Sequence, residues 1–115
     1  MEPFSILEEL EEFKGKEFNL VAKKLVKPSS TLKSSWVDSS YFEYFVLKVL
    51  SARTTDNKLG NYSMGVEWSF DGYEVHGVED RPSKYIKGRY FRLVYVNTED
   101  VPQLLHVDAL LRYGE

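Results

Sequence analysis

The chain has 115 residues, 43% apolar and 15% aromatic, with 15 Lys and Arg against 18 Asp and Glu and no cysteine. That is enough chain for one core without cross-links, so a single domain over 1–115 is expected. The missing thiols exclude disulfides, thiolate-held zinc, iron–sulfur clusters and cysteine nucleophiles, and no apolar run approaches the roughly 18 residues of a membrane-spanning helix.

Residues 3–13 are the best helix candidate, with Pro3 near the start, acids throughout and Gly15 just past the end. Phe4, Leu7, Leu10 and Phe13 would lie on a sheet while Glu8, Glu9, Glu11 and Glu12 face water. The opening MEPFSILEELEEF is acidic where a signal or transit peptide is basic, so a cytoplasmic location is expected.

The next segments, FNLVAKKLV at 18–26 and YFEYFVLKVLSA at 41–52, fit both helical and strand periods. On the helical template Phe18, Val21, Ala22, Leu25 and Val26 form one stripe, and Phe42, Phe45, Val46, Val49 and Leu50 another. Their Tyr, Phe and Val content tilts 41–52 toward a strand. Between them lies a Ser-rich loop, KPSSTLKSSWVDSS at 27–40, and TTDNKLGN at 54–61 is a second loop.

Residues 62–80 carry the clearest local signal, because Asp71-Gly72 sits between two alternating runs and favours a two-residue type I′ hairpin turn. That register opposes Phe70 to Tyr73, Trp68 to Val75, and Val66 to Gly77. Met64, Val66, Trp68, Phe70, Tyr73 and Val75 are then core, while Glu67 and His76 face each other on the wet side. RYFRLVYVN at 89–97 is a further strand, and the tail 101–112 fits helix or strand, since Pro102 suits a helix start and Leu105, Val107, Ala109 and Leu111 alternate. The expected fold is α+β: a mostly antiparallel, curved sheet or small, partly open barrel of oligonucleotide-binding type, with a packed N-terminal helix. A lipocalin-like half barrel or an open sheet fits the same pattern.

Net charge of −3 conceals blocks of opposite sign: residues 1–13 hold five acids and no base, 59–80 five acids and no base, and 81–92 five bases and no acid. In the last block Arg81, Lys84, Lys87, Arg89 and Arg92 alternate with Tyr85, Tyr90 and Phe91, followed by Tyr95. Cations that track phosphates and rings that stack on bases are what single-stranded DNA or RNA requires, so Lys84, Tyr85, Lys87, Arg89, Tyr90 and Arg92 are candidate binding residues. Trp36, downstream of Lys23, Lys24, Lys27 and Lys33, would extend that surface.

A noncatalytic nucleic-acid module is therefore the first functional expectation. The second is a protein-interaction subunit or inhibitor, since Tyr, Trp and Arg also anchor protein interfaces and the chain is acidic overall. An enzyme is not expected: the acid–base pair the pattern offers is Glu67 with His76, and nothing in the sequence brings near it the one conceivable complement, His106 with Arg89. Neither the scattered glycines nor two histidines 30 residues apart imply a phosphate loop, metal or cofactor.

Overall fold

The computed structural model describes residues 15–113, so the helix expected over 3–13 lies outside the described residues. Within them all regular structure is strand: β1 Gly15–Val26, β2 Thr31–Lys33, β3 Val37–Asp38, β4 Tyr44–Thr54, β5 Tyr62–Ser69, β6 Gly77–Glu79, β7 Tyr90–Asn97 and β8 Gln103–Arg112. These form two antiparallel sheets. One has the order β1-β8-β4; in the other, β2 and β3 pair one side of β7, followed by β5 and β6.

The α+β and barrel expectation is thereby corrected to an all-sheet architecture that does not close. Successive strands β7 and β8 lie in different sheets, so hydrogen bonding does not run round a ring. Alternation explains the packing. Phe91, Leu93 and Tyr95 of β7 and Leu105, Val107, Ala109 and Leu111 of β8 are buried, and the inward rows of the two sheets share two apolar clusters. In one cluster Phe45 of the first sheet meets Trp68 and Phe91 of the second, with ring centroids 5.4 and 5.5 Å apart.

The double periodicity of the first half has a physical origin in bulges. β1 shifts register between Asn19 and Val21 and again between Val21 and Lys24, with Lys23 at φ 48°, and β4 shifts between Val49 and Ser51. Each extra residue breaks the two-residue repeat and imitates a helical stripe. Both segments are strands, as is the tail. Val46 and Leu50, core on the helical template, are 47% and 61% exposed.

The hairpin holds in part. β5 and β6 pair, but with Trp68 opposite Gly77 and Glu67 opposite Val78, two residues from the expected register. Of the two central residues only Gly72 has positive φ, at 78°, which rules out type I′. The physical reason is a side-chain cap: Asp71 Oδ1 accepts from the N–H groups of Tyr73 and Glu74 at 2.9 and 3.0 Å, while Ser69 Oγ accepts from Gly72 N–H at 2.9 Å. These bonds widen the turn into a loop over 70–76. Phe70 and Tyr73 leave the core and are 63% and 87% exposed, and Val75 is exposed with them. His76 no longer faces Glu67; its Nδ1 accepts from the Phe70 N–H at 3.0 Å.

One end of the sandwich is closed by buried polar groups. Asn97 donates to the carbonyls of Val26, Lys27 and Val101 at 3.1, 3.2 and 2.9 Å and accepts from Glu99 N–H at 2.8 Å. Tyr95 donates its hydroxyl to Gln103, whose amide donates to the Asn61 carbonyl at 2.8 Å. Burial holds the Tyr95 hydroxyl well above the ordinary tyrosine range, and the nearby Tyr62 adds to it.

Candidate functional site

Trp36 reaches its position through an irregular edge. Lys33 pairs with Val94 and Val37 with Phe91, so three residues, Ser34 to Trp36, oppose two on β7. Ser34 repairs the ladder: its N–H donates to the Leu93 carbonyl at 3.0 Å, and its Oγ accepts from the Leu93 N–H at 2.9 Å. The extra residue lifts Trp36 onto the outer face, where its ring lies 4.3 Å from the Arg92 guanidinium carbon.

Arg92 is fixed from its other side. Its Nε donates to Glu67 Oε1 at 2.7 Å, and Lys33 Nζ lies 3.2 Å from the same carboxylate. Burial pushes the Glu67 carboxyl up, but hydrogen bonds and charge from Arg92 and Lys33 outweigh it and leave the group below its ordinary value. The row Trp36, Arg92, Glu67 and Lys33 is thus ordered and amphipathic, with two cations sharing one carboxylate.

Next to Trp36 is a groove of about 480 Å³ lined by Phe18, Trp36, Tyr41, Phe42 and Tyr113, with Lys16 and Asp38 as its charged groups. Phe42 and Tyr113 stack at 4.7 Å, Lys16 Nζ lies 5.1 Å from the Phe18 ring centre, and Tyr41 is 81% exposed. Asp38 is held below the ordinary carboxylate range by the Ser40 hydroxyl and N–H, with Arg89 contributing. Apolar walls with one cation and one anion suit a side chain that is mostly hydrophobic and carries a polar end.

The seven residues singled out in the sequence are engaged in several separate contacts. Trp36 and Arg92 are brought together, and Arg89 lies over the Tyr90 ring at 5.3 Å. Lys87 is engaged elsewhere, 2.6 Å from Glu79, and holds that carboxyl low. Lys84 and Tyr85 sit against the start of β4: Tyr44 and Tyr85 form an isolated bridge, and Lys84 Nζ lies 5.4 and 5.5 Å from their two rings. Phe91 and Tyr95, read as part of the basic-aromatic strip, point into the core. The groove residues Phe18, Tyr41, Phe42 and Tyr113 were missed, since nothing local in the chain announces that β1, the 39–43 turn and the end of β8 converge.

Two polar clusters lie apart from this site. Asp71, Glu74 and His76 bring ligand-type atoms within 4.8 Å of one another, but all three are exposed and Asp71 Oδ1 is already engaged in closing its loop. On the outer face of the first sheet His106 Nε2 lies 3.3 Å from Asn19 Nδ2 and 3.5 Å from Asp108 Oδ1. Ser51 stands opposite His106 in the ladder, yet its hydroxyl donates to the Leu104 carbonyl at 3.2 Å, so no nucleophile–base contact is made there. Among the described residues no helix is long and apolar enough to cross a membrane.

A scan against protein-family models and a search of curated proteins found no match to this chain.

Proposed function

We propose that the chain is a noncatalytic protein-interaction module that engages a partner through Trp36 and the aromatic groove beside it. The observation that carries this reading is the Trp36–Arg92–Glu67 stack. Tryptophan and arginine are the commonest anchors of protein interfaces, and here both are held in place before any partner arrives, which lowers the ordering cost of binding. The groove supplies a concave apolar socket with charges at its margin, the arrangement expected of an interface centre with a polar rim.

Single-stranded nucleic acid is the second reading, and one observation favours it: Lys84 and Arg89 lie over tyrosine rings and have no ion-pair partner among the described residues. Against it weigh the pairing of Arg92 with Glu67, of Lys87 with Glu79, and the excess of acids over bases.

A paired experiment separates them: quantitative copurification of the wild-type and Trp36→Ala chains with and without nuclease, beside a low-salt anisotropy titration with mixed-sequence single-stranded DNA and RNA. The interaction reading expects a nuclease-resistant protein that is lost with Trp36→Ala, and no oligonucleotide binding at tens of micromolar. Salt-sensitive oligonucleotide binding without such a protein overturns it.

A further inference from the structure

β4 is the outer strand of the first sheet, with β8 along one side. On its other side, among the described residues, only its two ends are covered. Near the start, Phe45 N–H donates to the Lys84 carbonyl at 2.8 Å and Ile86 N–H to the Glu43 carbonyl at 2.9 Å. Near the end, Gly60 N–H donates to the Ala52 carbonyl at 3.0 Å and Thr54 N–H to the Lys58 carbonyl at 2.9 Å. Between these caps, over 46–51, β4 has no main-chain partner on this side among the described residues. Alternation from Glu43 and Phe45 aims the N–H and C=O groups of Leu47 and Val49 outward into this gap.

Two hollows flank the gap. One, of about 340 Å³, is lined by Phe45, Leu47, Met64 and Pro82 with Lys84 at its margin; the other, of about 280 Å³, by Val49, Leu50, Leu59 and Tyr62 with Arg53. An added strand of five or six residues would span the gap at roughly 3.3 Å per residue and direct its inward side chains toward the hollows. Its outward side chains would lie beside Val46, Lys48 and Leu50.

Lys48 decides the occupant. A second copy pairing antiparallel in the register that centres the gap, Leu47 against the other copy's Val49, would place Lys48 against Lys48, and like charges directly opposite are destabilising. An acidic side chain at that rung is favourable instead. Of its acidic neighbours, Asp108 stands opposite Lys48 on β8 but turns its Oδ1 to Asn19 and His106, and Glu17 is 3.5 Å away with both groups well exposed, a pair too weak to satisfy Lys48. Lys84 and Arg53 bias the two ends in the same direction.

We propose that 46–51 of β4 receives an extended segment of a partner protein by strand addition, with apolar residues beside Leu47 and Val49 and an Asp or Glu opposite Lys48. This surface is independent of the groove beside Trp36, and either can fail without the other.

The test uses the full chain and a synthetic peptide, acetyl-Ser-Val-Ile-Glu-Ile-Leu-Ser-amide. The proposal expects submillimolar binding that slows hydrogen exchange at the Leu47 and Val49 amides. A peptide N-methylated at both isoleucines, which keeps the side chains but removes the ladder donors, should bind at least about tenfold more weakly. Replacing the peptide's Glu by Lys should weaken binding by about 2- to 30-fold, and the exposed Lys48→Glu variant should reverse that preference. Absence of binding at millimolar peptide, survival of binding after N-methylation, or no change of charge preference in Lys48→Glu each overturns the proposal. So does a peptide-free dimer, seen by sedimentation, that already protects Leu47 and Val49.

Discussion

Arg92 lies 4.3 Å from the Trp36 ring while its Nε donates to Glu67 at 2.7 Å, so one guanidinium both neutralises a half-buried acid and supports a half-buried aromatic. Glu67→Ala should therefore cost about 1.5–3 kcal/mol, the range for hydrogen bonds to charged groups, and shift the Trp36 indole N–H resonance toward that of a free side chain. The pH dependence has a definite sign. Arg92 and Lys33 keep the folded-state Glu67 carboxyl below its ordinary value despite its burial, so its stabilisation is present above that value and is lost as pH falls through the depressed one. Urea midpoints of wild type and Glu67→Gln should differ at neutral pH and converge in acid.

Trp68 and Phe70 lie two residues apart with opposite fates. Trp68→Ala should cost about 3–5 kcal/mol because it removes a ring that meets Phe45 across the two sheets and Phe91 beside it in its own. Phe70→Ser should change stability by about 0.5 kcal/mol or less, because the ring is exposed and makes its aromatic contact with His76 on the same loop. Chemical denaturation of the two variants checks both numbers.

Removing the Tyr95 hydroxyl strands a buried acceptor. Tyr95→Phe should cost about 1–3 kcal/mol, since Gln103 loses the donor to its Oε1 with no water-facing alternative. A thermal or urea unfolding curve measures it.

Asp71 closes the 70–76 loop through two N–H groups and the Ser69 hydroxyl, and these bonds lower its carboxyl from 3.8 to about 2. Loop order should be intact above the ordinary aspartate range and be lost as pH falls toward about 2. Tyr73 and Glu74 amide shifts followed against pH should titrate with that midpoint, and Asp71→Ala should abolish the titration while leaving β5 and β7 amides unchanged.

Much of the sheet was legible from local pattern. Phe91, Leu93 and Tyr95 alternate cleanly with Tyr90, Arg92 and Val94, and β7 follows within one residue of the expected strand. What resisted reading was phase: the bulges of β1 and β4 insert residues that no periodicity announces, and Asp71-Gly72 favours a tight turn until Ser69 and Asp71 cap a wider loop. At the site, Trp36 and Arg92 were visible as residue types but their contact was not, because it depends on Ser34 substituting for a missing ladder bond. Glu67, which sets the charge of that face, was read as a partner for His76 because the hairpin register was two residues out.

The central claim is that the Trp36 face binds protein, and photo-crosslinking tests it most directly. With Tyr41 replaced by p-benzoylphenylalanine, irradiation in cells of the source organism should yield a nuclease-resistant polypeptide adduct that disappears when Trp36→Ala is added. A nuclease-sensitive nucleic-acid adduct, or a polypeptide adduct indifferent to Trp36→Ala, would contradict the account.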